Sequence, residues 1–189
     1  NALLFIVTTF FINKLAFYLS PVALLVIFGY TYTKRFTILC HFVLGIALSL
    51  APIGAYIAVT GKWALVPILI SLVVLFWVSG FDILYSIRDK DFDKEELLRS
   101  IPAVLGVKYA RLISILLHSI VIFLVIKIGL ILETNLFYWI GTYSFIGLLS
   151  FQHIFILKCN ERRINFAFVT LNGLSSIIFS VFIILSFYL

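Results

Sequence analysis

Six of the eight acidic residues in this 189-residue chain fall between Asp82 and Glu96. If a helix continues through that segment, 100° per residue brings Asp82, Asp89 and Asp93 within about 40° of one another, and Asp91 to the opposite side. Asp82 follows the apolar run Leu72 to Val78, and a carboxylate at that membrane depth is costly unless it faces a polar cavity or pairs with a cation. Three clustered carboxylates also repel one another. A divalent cation relieves that repulsion, and magnesium is the hard ion that uses one or two carboxylates together with substrate phosphates. The expectation is a Mg²⁺-diphosphate site with Asp82, Asp89 and Asp93 as ligands. Tyr85 lies near the same face, and Arg88 adds a cation beside it. Asp91, Lys94, Glu95 and Glu96 read as a solvated loop.

A second polar cluster, Tyr30 to Arg35, closes an earlier apolar run. Tyr30 and Lys34 are four apart and share a helix face. The lysine ammonium is a compact charge suited to phosphate oxygens. Asn172 sits inside the last apolar run, where an amide lines a cavity or bonds across helices. Gly45, Ala47, Ser49, Ala51 and Gly54 read as a close-packing stripe. The stretch Lys94 to Gly106 suggests a short amphipathic cap with Leu97, Leu98 and Ile101 toward the membrane.

These groups must be positioned by apolar helices. The chain is 63% hydrophobic and 12% charged, with a mean hydropathy of +1.21, against roughly half apolar and a quarter charged in soluble domains. The pattern is all-α, a polytopic transmembrane bundle. Complete spans are expected at about 17–33, 38–60, 65–88, 108–131, 136–158 and 166–188, each near the ~20 residues needed to cross hydrocarbon. Ala2 to Ile12 is half a span, so the chain reads as about seven spans with the first cut in its middle. The first run has no basic flank or cleavage site of the signal-peptide kind. Eleven of the fourteen Lys and Arg fall on one side, ten in the connections 34–37, 88–108 and 158–165 and Arg111 just beyond the second, which assigns those connections to the cytoplasm. The net charge of +6 follows from this bias and from attraction to anionic lipid, not from nucleic-acid binding. Cys40 and Cys159 read as free packing thiols. His41, His118 and His153 lie in three separate spans, which argues against a transition-metal site.

Tyr30-x-x-x-Lys34-Arg35-Phe36-Thr37, followed by Asp82-x-x-Tyr85-x-x-x-Asp89-x-x-x-Asp93, resembles the UbiA superfamily of intramembrane prenyltransferases, and within it the branch that prenylates 4-hydroxybenzoate. The likeness extends through Ser100-Ile101-Pro102-Ala103 to the final span with Asn172. It implies a nine-helix bundle around a central cavity, with Mg²⁺ between two aspartate-rich elements and a polyprenyl tail in a lipid-facing tunnel. It also implies transfer of a polyprenyl group from an allylic diphosphate to an aromatic acid, in the bacterial cytoplasmic membrane. Asp82, Asp89, Asp93 and Lys34 would act on the diphosphate, and Tyr30, Tyr85, Arg88 and Asn172 would bind substrate. The family's first motif, NDxxDxxxD, is not in this sequence. Residues 1–189 therefore read as one prenyltransferase domain lacking its first two helices and inactive alone. Alternatives are hydroxynaphthoate or haem prenyl transfer, a divalent-cation transporter, or an inactive membrane fragment.

Overall fold

The computed structural model describes residues 1–156 and 161–189, with the side chains of 161–163 set aside. Lys158, Cys159, Arg162 and Arg163, which the charge and cysteine arguments used, lie outside the described residues or side chains. Every regular element among the described residues is helical. The helices are α1 (Ala2–Ile12), α2 (Lys14–Thr33), α3 (Cys40–Thr60), α4 (Leu65–Ser86), α5 (Lys90–Glu95), α6 (Ile101–Leu105), α7 (Val107–Ile131), α8 (Leu136–Phe155), α9 (Glu161–Phe166) and α10 (Asn172–Tyr188). A π-helical turn, Ala167–Leu171, joins the last two.

Their ends follow local chemistry. Asn13 is extended (φ −165°, ψ 163°) and separates α1 from α2. Its Oδ1 accepts from the Ala16 N–H at 2.8 Å, an N-cap. Its Nδ2 donates to the Ile57 and Ala58 carbonyls at 2.8 and 3.1 Å, satisfying the far end of α3. Gly61 then ends α3 in the left-handed region at φ 65°, where a Cβ would be strained. Asn135 works in the same way: it caps α8 and donates to the Ser186 carbonyl of α10 at 3.0 Å. In each case one short amide ties two spans at a membrane surface.

Five described helices are long and apolar enough to cross a membrane: Lys14–Thr33, Cys40–Thr60, Leu65–Ser86, Val107–Ile131 and Ile164–Tyr188. The protein is an integral multi-pass membrane protein. Helix α8 has comparable length, but Tyr138, Tyr143, Gln152 and His153 dilute its apolar character. The long helices pack in chain order, α2 on α3, α3 on α4, α4 on α7, and α8 on α10. One buried cluster at the charged end contains Ile83, Leu84, Ile87, Ile101, Ala110 and Ala167. A second, deeper one joins Leu69, Val73, Val121, Val125, Tyr138 and Phe145. Gly45 lets α3 approach α4, because a Cβ there would meet the Ser79 hydroxyl and the Leu75 carbonyl.

Two expectations need correction. The helix does not run unbroken through the acidic segment. After Ser86 the N–H groups of Ile87, Arg88 and Asp89 bond three residues back, to Leu84, Tyr85 and Ser86. That tightening advances the chain by about 120° per residue and rotates Asp93 away from the face an ideal α-helix would give it. The Lys94 to Gly106 stretch also does not turn Ile101 toward lipid. It folds back under the bundle, with Ser100, Ile101 and Pro102 buried and Leu97 exposed at φ 54° in the turn.

Candidate functional site

The carboxyl end of α2 and the acidic segment, far apart in sequence, meet at one end of the bundle. Lys34 follows the last turn of α2, and its Nζ lies 2.6 Å from Asp93 Oδ1. Asp93 is wholly buried while the Lys34 side chain is 32% exposed. The contact is an ion pair by distance without hydrogen-bond alignment, and Asp93 Oδ2 has no donor among the described residues. Main chain reinforces the approach, since the Arg99 N–H donates to the Lys34 carbonyl at 2.7 Å. The Arg99 guanidinium reaches the Phe36 carbonyl at 3.3 Å.

Asp89 and Arg88 form a second unit at the end of α4. Arg88 Nε donates to Asp89 Oδ1 at 3.0 Å and Nη1 donates to Asn165 Oδ1 at 2.8 Å. Its guanidinium lies over the Tyr85 ring, 4.6 Å from the centroid. The hydrogen bond to Asp89 moves the Arg88 pKa up from its ordinary value. Tyr85 packs against Phe168 at 4.1 Å, and Phe168 meets Phe81 at 5.5 Å. An aromatic wall thus runs inward from the charged end. It continues through Trp77 to Phe145, deep between α4 and α8.

Asp82, about one turn before the end of α4, has its own partner. His41 Nδ1 lies 2.6 Å from Asp82 Oδ2. Asp91 is 84% exposed, with Lys90 at 3.4 Å. Tyr30 is exposed and its side chain makes no hydrogen bond among the described residues, while its carbonyl accepts from Thr33 Oγ1 at 2.6 Å. Asn172 is buried, and neither end of its amide has a partner among the described residues.

The three aspartates have separate partners. Each is engaged by a different basic group: His41, Arg88 or Lys34. Among the described residues no three metal-ligating side chains gather at one point, so a three-aspartate centre is not formed by these side chains. What remains suits an ion that needs fewer protein ligands. Asp82 and Asp89 are partly exposed, and Asp93 keeps one buried oxygen unpaired.

Sequence reasoning missed His41, Asn165 and Phe168. His41 carried a usable signal, a polar side chain at the start of a span on the same membrane side as Asp82. Asn165 and Phe168 offered none, since only the fold brings α9 and the π-helical turn against α4. It also missed that His118 and His153, from different spans, sit 2.7 Å apart.

The model of the UbiA prenyltransferase family matches residues 1–180. A 4-hydroxybenzoate octaprenyltransferase of Aliivibrio fischeri strain MJ11 is 30% identical over 168 residues, covering 88% of this chain and 58% of that protein. One from Vesicomyosocius okutanii is 29% identical over 150 residues, covering 79% of this chain and 54% of that protein. The chain spans about half the length of these curated relatives. Among solved structures, the apo form of a UbiA homolog from Aeropyrum pernix K1 superposes with a TM-score of 0.87 at 29% identity, over 97% of this chain and 68% of that one. The structure of a digeranylgeranylglyceryl phosphate synthase shares the fold, with a TM-score of 0.80 at 21% identity, over 100% of this chain and 67% of that one.

Proposed function

The chain belongs to the UbiA prenyltransferase family, and on that premise we propose that the protein containing it transfers a polyprenyl group from an allylic polyprenyl diphosphate to an aromatic acid such as 4-hydroxybenzoate. The observation that carries this reading is the junction of Lys34 with Asp93 at the end of the bundle where Asp82, Asp89 and Arg88 also lie. It gathers cations for a diphosphate beside carboxylates for its counter-ion, at the mouth of an aromatic-lined interior.

Charge builds on the departing diphosphate as the allylic C–O bond breaks. Lys34, one-third exposed, is placed to neutralise it, and Arg88 offers the N–H groups not committed to Asp89 and Asn165. A bound magnesium ion would supply further charge stabilisation, held by one or two of these carboxylates, Asp89 or Asp82 or the unpaired oxygen of Asp93, rather than by all three. The carbocation must be kept from water. An interior walled by Tyr85, Phe168, Phe81 and Trp77 excludes it and presents ring faces that favour positive charge. Tyr30 and Asn172 complete the substrate-binding set. The ring carbon of the phenolic acid captures the cation, and loss of the ring proton restores aromaticity.

This reading places the site at the cytoplasmic face of a bacterial inner membrane, which the bias of Lys and Arg toward that end supports. It also requires two further helices and the first aspartate motif before Asn1 in the complete protein. The test is a membrane assay of that complete protein with a polyprenyl diphosphate and 4-hydroxybenzoate, with and without Mg²⁺. Mg²⁺-dependent prenylated product is expected. Diphosphate hydrolysis or no turnover, with all acceptors silent, would overturn the proposal.

A further inference from the structure

His41 belongs to no part of the mechanism above, yet it is buried and hydrogen-bonded through both ring nitrogens and its carbonyl. It lies in the first turn of α3 and is 2% exposed. Its ring bridges two elements. The Ile101 N–H, at the first position of α6, donates to Nε2 at 3.3 Å. Nε2 is therefore the unprotonated acceptor, and Nδ1 carries the proton donated to Asp82 Oδ2 at 2.6 Å. Its own carbonyl accepts from Ser79 Oγ at 3.1 Å, which fixes α3 against α4 beneath the ring.

We infer that His41 is a positioning residue: one imidazole holds the Asp82 carboxylate and, with its other nitrogen, pins the start of α6 so that the returning segment stays closed on Lys34. This role rests on the prenyl-transfer reading for its effect on catalysis, but its anchoring half does not.

Three observations support it. Both ring nitrogens are already used, so His41 has no free site with which to take a proton from substrate, and it touches the reaction only through Asp82. The segment it pins is built of short elements joined by a left-handed turn. Leu97 adopts φ 54°, α5 and α6 have six and five residues, and the Arg99 N–H is tied to the Lys34 carbonyl two residues before the His41 contact. The same segment carries Asp93, so loosening α6 loosens the Lys34–Asp93 junction. Burying an unpaired Ile101 N–H and freeing the Asp82 side chain would both follow from loss of the ring.

The test uses the complete protein in detergent micelles with two near-isosteric substitutions, His41→Leu and His41→Asn. Asparagine keeps a donor near the position of Nδ1 but is too short to reach the Ile101 N–H, and leucine keeps neither. Two readouts are taken: kcat for prenyl transfer, and the rate of tryptic cleavage after Lys94 and Arg99, which reports anchoring without any turnover. Cleavage is expected to accelerate about tenfold in both variants. The kcat is expected to fall about 100-fold in His41→Leu, with at least tenfold of that recovered in His41→Asn. Wild-type cleavage rates in the variants would overturn the anchoring role. Equal kcat in Leu and Asn, or kcat within threefold of wild type in Leu, would overturn the role toward Asp82. If His41→Leu does not fold, His41→Asn decides alone: fast cleavage with kcat within about tenfold of wild type supports the inference, and slow cleavage ends it. A wild-type protein without prenyl transfer would refute the proposed activity, while the cleavage rates would still judge the anchor.

Discussion

Replacing Lys34 by methionine and Asp93 by asparagine should have unequal consequences, although the two residues form one ion pair. Asp93 is wholly buried, and its second oxygen has no donor among the described residues. Lys34→Met therefore leaves an ionised carboxylate in the interior with no counter-charge, and breaking a buried pair in this way costs about 3–5 kcal/mol. Because the lysine is partly exposed, solvent already screens the pair, and the lower end, about 3 kcal/mol, is expected. Asp93→Asn instead leaves an ammonium that can turn to water, for about 1 kcal/mol. The double variant loses both charges and should be more stable than Lys34→Met alone by about 1 kcal/mol or more. Reversible unfolding of the complete protein by SDS titration in mixed micelles gives all three values. An Asp93→Asn variant as damaged as Lys34→Met, or a double variant additive within about 0.5 kcal/mol, would refute the claim that burial is lopsided and the pair coupled.

Four further outcomes follow from the structure. Asp89→Ala and Asp93→Ala should each abolish product in the membrane assay, whereas Asp91→Ala, at an exposed position, should retain most of it; equal losses would break the distinction. Gly45→Ala should cost about 1–3 kcal/mol in the same unfolding assay, because the Leu75 backbone carbonyl cannot move away from a new Cβ. Gly54→Ala, with nothing near its Cβ, should be neutral or raise stability by up to about 1 kcal/mol through helix propensity. Asn165→Ala should raise the KM for diphosphate more than it lowers kcat, since it releases the Arg88 guanidinium without removing it.

The spans and the sidedness of Lys34 with the acidic segment could be read from the chain, because the bilayer imposes length and apolarity on each helix separately. Helix α7 is predicted at 108–131 and spans Val107–Ile131; α3 is predicted at 38–60 and spans Cys40–Thr60. The site resisted in one specific way. Angular reasoning over Asp82 to Asp93 assumed a uniform helix, and three tightened hydrogen bonds at Ile87, Arg88 and Asp89 were enough to spoil the phase. Nothing in those residue types forces the tightening; it is settled by Ile87 packing into the core and by Asp93 finding Lys34. Ile101 shows the same limit, since its apolar character says it will be buried but not whether by lipid or by neighbouring helices.

The π-helical turn at Ala167–Leu171 has a consequence for how this chain can change over generations. The Asn172 N–H reaches back five residues, to the Ala167 carbonyl, so the helix accommodates one residue beyond what an α-helical path would hold. Ala167 and Leu171 face the bundle, and so do Asn172 and Ser175 beyond them. Losing any one residue between 167 and 171 would let the helix relax to an ordinary winding, yet the Arg88-bonded Asn165 and the inward Asn172 would keep their facing directions only if that winding change compensated. A one-residue deletion at the exposed Val169 or Thr170 is therefore the edit this turn can absorb, whereas a deletion in α4 or α7 would turn every following side chain by about 100° toward the wrong neighbour.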